Sequence, residues 1–140
     1  MKYPARIEGK QGDFVLSFRD IPEAVSGAAT REDARDLALD CLVTAMDFYF
    51  DDRRQVPAPS QPKKGEFLVA LPPSIATKAL LLNRMLESKV TPAELARRLN
   101  TTPQSVNRLV DLRHTTKIDT LAEALRALGA ELEVGLVTAS

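Results

Sequence analysis

The chain has no tryptophan, one cysteine, one histidine and six scattered glycines in 140 residues, and each scarcity closes off a class of function. A lone Cys41 cannot close an internal disulfide, which fits a reducing cytoplasm. Its spacing from Leu37, Leu42 and Ala45 suggests a small buried hydrophobe. With His114 as the single imidazole, neither a two-histidine metal site nor a Cys–His pair with spare ligands can be built. The scattered glycines form no loop of the kind that cradles phosphate. The longest apolar run, around residues 78–82, is far too short to span a bilayer. The opening MKYPARIEG lacks the apolar stretch of a secretory signal. Carboxylates are plentiful on the first long predicted helix, but Asp36, Asp40 and Asp47 share its polar side with Arg35 and have no strand-borne partner, the pattern of a solvated face. No catalytic constellation, metal site or cofactor motif emerges. The expectation is a non-enzymatic, cofactor-free cytoplasmic protein with no membrane association.

What is present is an ordinary folded composition, 44% apolar and 27% charged, in a length suited to one domain or two small ones. Residues 2–8 and 13–19 read as strands around a Gly9–Gly12 turn, with Phe14, Leu16 and Phe18 in strict alternation. Pro22 ends the second strand, and residues 24–28 offer a short third. Thr30, with Asp33 three residues on, caps a long helix whose apolar positions are Ala34, Leu37, Ala38, Cys41, Leu42, Ala45, Phe48 and Tyr49. Residues 51–64 hold three prolines (Pro57, Pro59, Pro62) and read as a semi-stiff connection. A strand over 66–71 is expected to return to the first sheet. Ser74 is placed to cap a helix over 75–87. The sequence therefore divides into domains 1–72, with the connection at 51–64, and 73–140, an α+β chain of order β-β-β-α-β followed by helices.

Residues 91–117 read as a helix-turn-helix. Thr91 offers a cap to free N–H groups, Pro92 occupies the first helical position, and Glu94 completes a capping box. Leu95, Ala96 and Leu99 make a narrow apolar stripe, and Asn100 suits the left-handed reversal that follows. Thr102 and Pro103 repeat the start, and Val106, Leu109 and Val110 supply the inner face. Outward lie Gln104, Ser105, Asn107, Arg108 and Asp111; amides, hydroxyls and arginine are the groups that read base edges in a major groove. Residues 84–117 carry seven Lys/Arg against three Asp/Glu, a net of +4, whereas residues 1–60 carry eight against eleven, a net of −3. The basic excess falls on the reading head, as phosphate neutralisation requires. Candidate DNA contacts are Thr102, Gln104, Ser105, Asn107 and Arg108 with Arg97, Arg98, Arg113, His114 and Lys117. A helix over 118–128 stopped by Gly129, then an alternating strand over 131–137, follow. Leu125, Leu128, Leu132, Val134 and Leu136 have no later chain to cover them. They are expected to form a homodimer or higher even oligomer, which a two-fold operator needs.

This segment resembles the lambdoid phage repressor and Cro class. A second resemblance covers nearly the whole chain: YPA near the start, Gly12, Phe14, Phe18 and Asp20-Ile21-Pro22-Glu23-Ala24, a Gly-x-x-Thr helix start, DFYF from Asp47, and LPPSIATKALLLN from Leu71 are similar to the HicB antitoxins. The resemblance implies a partial ribonuclease-H-like N-domain without that fold's catalytic carboxylates. It implies neutralisation of a small HicA-type toxin that cleaves messenger RNA, and a C-domain that dimerises on operator double-stranded DNA to repress its own operon. An acidic N-domain suits such a basic, RNA-binding partner, with Asp36, Asp40 and Asp47 as candidate toxin contacts. A metabolite-responsive helix-turn-helix regulator with a ligand-binding N-domain is the alternative.

Overall fold

A computed structural model describes residues 1–138, which form two compact units, Met1–Ala76 and the described residues from Thr77 onward. No helix among the described residues is long and apolar enough to cross a membrane.

The first unit is a four-stranded antiparallel sheet in the order β3-β2-β1-β4, with two helices against it. β1 (Lys2–Lys10) and β2 (Asp13–Phe18) form a hairpin in register Lys10↔Asp13, leaving a two-residue turn. Gly9 sits at φ +129°, and a Cβ there would lie 2.3 Å from the Asp13 carbonyl oxygen, so glycine alone fits. Phe14, Leu16 and Phe18 are buried as their alternation predicts, while Val15 between them is exposed. β3 (Val25–Ala28) and β4 (Phe67–Ala70) are the two edges, β4 pairing with β1 from Lys2↔Ala70.

The long helix is in fact two. α1 (Arg31–Asp36) starts on Thr30, whose hydroxyl accepts from the Asp33 N–H at 3.0 Å, and α2 (Ala38–Asp51) begins after Leu37. α2 buries Ala38, Leu42, Ala45, Met46, Tyr49 and Phe50, a stripe of helical spacing that is narrower than the sequence pattern. Three aromatics in succession, Phe48, Tyr49 and Phe50, offered a choice of face. Because Met46 and Phe50 take the inside, Leu37 and Phe48 are left outside (42% and 53% exposed) and Cys41 half-buried, not buried as expected. Arg35, expected on a solvated side, stacks its guanidinium over the Phe67 ring at 4.2 Å.

The proline-containing stretch is not a loose connection. Val56 is buried, the Tyr3 hydroxyl donates to the Pro57 carbonyl at 2.6 Å, and Asp20 accepts the Ser60 N–H at 2.9 Å and its hydroxyl. Arg19 then grips Glu66 through two guanidinium nitrogens at 3.1 and 2.7 Å. This grip, with the Lys63 N–H, holds the Glu66 carboxyl down to about 2. A carboxylate depressed on folding stabilises fully above its unfolded value and loses that contribution as pH falls through the folded one. The urea midpoint is therefore expected to drop between about pH 4.5 and 2, and Glu66→Gln to remove that part of the pH dependence while lowering the neutral-pH midpoint. An unchanged profile in the variant would show that the grip contributes nothing.

The second unit is helical among its described residues. α3 (Pro73–Ser88) begins in the first unit and continues into the second. It starts on Pro73, with the Pro72 carbonyl accepting the Ala76 N–H at 2.9 Å, so proline at the first position, not a Ser74 cap, sets its start. α4 (Pro92–Leu99), α5 (Pro103–Leu109) and α6 (Ile118–Ala127) follow, with α4 packed on both α5 and α6. Leu81, Leu82, Met85, Leu95, Val106, Leu121 and Ala124 provide the core. α6 ends in a Schellman turn: Gly129 has φ +76° and the Ala130 N–H returns to the Leu125 carbonyl at 3.0 Å. The strand expected over 131–137 does not form. Residues 131–138 have no regular structure, and Val134, Leu136 and Val137 are 87%, 98% and 79% exposed. Alternation selects a face only once a neighbouring strand supplies hydrogen bonds, and one chain offers none here.

Candidate nucleic-acid interface and partner-binding face

The expected two-helix motif is built by local chemistry. Thr91 caps α4 by accepting the Glu94 N–H at 3.2 Å, with Pro92 at the first position. Asn100 ends it in the left-handed conformation (φ 56°, ψ 48°), reversing the chain within a few residues. Thr102 caps α5 through the Ser105 N–H at 3.2 Å, and Val106 and Leu109 face inward. Ala96, nearly fully buried, leaves room for the second helix to approach.

The ten candidate contact residues are not equivalent. Gln104, Asn107 and Arg108 are exposed on α5, Gln104 and Arg108 one turn apart. Ser105 is half-buried, and the Thr102 hydroxyl is engaged in the cap and with the Ser105 hydroxyl. Arg108, Ser105, His114 and Lys117 line one open cavity of about 240 Å³, which brings together the α5 exit and the start of α6. Arg113 is exposed and folds back on Asp111 at 3.3 Å. Arg97 pairs with Glu94. Arg98 also pairs with Glu94, at 3.2 Å, and donates to the Ala127 carbonyl at 3.3 Å, so it ties α4 to the end of α6. Arg84 donates to the neighbouring Leu128 carbonyl at 3.1 Å.

Sequence reasoning missed Lys78. It is 2% exposed on α3 and donates to three backbone carbonyls, those of Arg108, Asp111 and His114, at 3.1, 2.6 and 2.5 Å. The signal was available: a lysine inside an apolar run is buried only with full hydrogen bonding.

In the first unit the three acidic candidates separate. Asp36 ends α1 and Asp40 lies on α2, both exposed, whereas Asp47 is half-buried. Only Asp40 borders a groove of about 230 Å³, whose walls include Glu23, Val25, Leu37, Cys41 and Phe48. Val25 (57% exposed), Leu37 and Phe48 give it an open apolar surface beside the sheet edge β3. Burial raises the Cys41 thiol above its ordinary range, so it is a weak nucleophile. Glu23 accepts the Tyr49 hydroxyl at 2.5 Å and Arg54 at 3.0 Å. The tyrosine hydrogen bond is the main reason its carboxyl is held below the usual range, while burial first, and then Glu23, push Tyr49 up to about 12. The motif residues Asp20, Glu23 and Tyr49 thus act as fasteners: Asp20 holds the proline-containing stretch, and Glu23 joins α2 to the turn before β3.

Residues 2–80 match the family model described as HicB_like antitoxin of bacterial toxin-antitoxin system. Antitoxin HicB 2 of Photorhabdus laumondii is 54% identical over 96% of this chain and 95% of its own length. Antitoxin HicB of Escherichia coli K12 is 42% identical over 98% of this chain and all of its own, and that of Pseudomonas fluorescens 38% identical over 94% and 90%. With the sequence motifs now seen to be the fasteners of the first unit, and similarity running from end to end, the chain belongs to the HicB-like antitoxin family of bacterial toxin–antitoxin systems.

Proposed function

We propose that the first unit neutralises a HicA-type messenger-RNA-cleaving toxin and that the second, as a dimer, binds operator double-stranded DNA and represses the operon. Family membership carries the toxin half of this reading. The observation that supports the DNA half is α5, which presents Gln104, Asn107 and Arg108 to solvent at the end of a capped two-helix motif, with a basic cavity at its exit. On this reading the first unit is a partial ribonuclease-H-like fold used for binding. The apolar groove between Val25 and Phe48, with Asp40 and Glu23 on its rim, is the better candidate for toxin contact than a purely acidic helix face. At about 230 Å³ this groove is smaller than the roughly 300–1,000 Å³ of ligand pockets.

The test of base reading is direct. Gln104→Ala and Arg108→Ala are each expected to cost about 1–3 kcal/mol of discrimination between operator and random duplex. Arg97→Ala and Lys117→Ala should weaken all duplexes alike and flatten the salt dependence by about one. Gel-shift competition at two salt concentrations separates the two behaviours. An Arg108→Ala protein that still prefers its operator is not deprived of a reader.

A further inference from the structure

We infer that Lys78 is the positioning residue of the DNA-binding surface: its ammonium fixes the exit of α5 and the loop to α6, and so sets where Arg108, His114 and Lys117 stand. The inference rests on the DNA-binding reading of the second unit.

The geometry is a three-way clasp. The Arg108 carbonyl belongs to the last turn of α5, and those of Asp111 and His114 to the loop that follows. The last carbonyls of a helix have no partner within it. Here the burial of Lys78 keeps bulk water from one side, so the lysine supplies what solvent would. Three acceptors within hydrogen-bond distance require three N–H donors, which an ammonium has and a neutral amine lacks. Burial lowers the lysine's proton affinity and the nearby Asp111 carboxylate raises it, while the three carbonyls favour the charged form.

The Asp111 side chain accepts the Arg113 N–H at 2.9 Å, and the His114 N–H reaches the Asp111 carbonyl at 3.2 Å, both contacts within the loop itself. Lys78 connects it to a different helix, α3. Because the same cation holds the end of α5 and two points of the loop, the two cannot move independently. Side chains from both then border one cavity, which is what convergence on a phosphate-bearing strand requires.

The full-length chain with Lys78→Met is the test, read by hydrogen exchange, by duplex binding across salt concentrations, and by toxin binding. The expected result is faster exchange confined to residues 108–117, at least tenfold weaker operator binding, and a salt slope reduced by about one to two. Toxin binding should be unchanged. If the loss were only one of folded fraction, the salt slope would stay that of the parent and exchange would rise throughout the second unit, not only over residues 108–117; that result overturns the inference. So does a variant with parental slope and affinity. Should Lys78→Met fail to fold, Lys78→Gln retains two N–H donors and is expected to show the same ordering at smaller amplitude. A parent chain that binds no duplex would overturn the DNA-binding reading instead, with loop exchange in the variant still reporting whether the clasp exists.

Discussion

Chains ending at Gly129 are expected to run as monomers and to bind operator at least a hundredfold more weakly than the full chain. The reason lies in residues 131–138, which carry the alternating pattern of a strand yet have no partner, with Leu136 98% exposed. A strand-prone apolar segment without a neighbour is completed most simply by a second copy across a two-fold axis. Leu132 already sits half-buried beside Leu80 and Leu125, in a groove of about 280 Å³ that could anchor the start of such pairing. On the proposed reading each α5 meets one half-site, and linking two half-site events gains about 10²–10⁴ in affinity without any new contact. Light scattering on the truncated chain and gel shifts on full and half operators provide the measurement. A truncated chain that stays dimeric would put the interface elsewhere.

The second large effect is expected at Phe48. Phe48→Glu should abolish neutralisation of the toxin in a growth-rescue assay while leaving thermal stability near that of the parent, since the ring is 53% exposed. Removing an aromatic anchor at the centre of an interface costs about 2 kcal/mol or more, a loss of roughly thirtyfold. Reversing Asp40 should act differently, slowing association at low salt and little at high salt, which is the behaviour expected of a steering charge and not of an anchor. Reversing Asp36 should do less, as it does not border the groove. Residues 1–76, the whole first compact unit, are expected to rescue growth without the second unit. If Phe48→Glu still silences the toxin, the groove is not the site; if 1–76 folds and cannot bind it, the role given to this unit fails.

The features legible in sequence were those whose causes are local. Thr91, Thr102 and Thr30 cap helices because each hydroxyl needs only an N–H three residues on, and Asn100 turns the chain because its own backbone tolerates it. Phe14, Leu16 and Phe18 declare their face because a strand repeats every two residues. What could not be read depends on partners distant in sequence. Phe48 or Phe50 could have pointed inward, and the sheet chose Phe50. The strand expected over 131–137 was read from alternation alone, and it does not form because the described residues set no neighbouring strand beside it. Lys78 finds its acceptors 30, 33 and 36 residues away, a pairing no periodicity announces.

To a protease, residues 52–66 are not the open hinge that their prolines advertise. Cleavage needs several residues drawn out and held extended, and here that means releasing Ser60 from Asp20, Pro57 from Tyr3 and Glu66 from Arg19 together. Arg54, an otherwise inviting basic residue, is stacked on Tyr49 and paired with Glu23. Nicking around Val56–Ser60 is therefore tied to opening of the first unit's core, and the survival of that segment against proteolysis follows the folding free energy of the unit and not the accessibility of a linker.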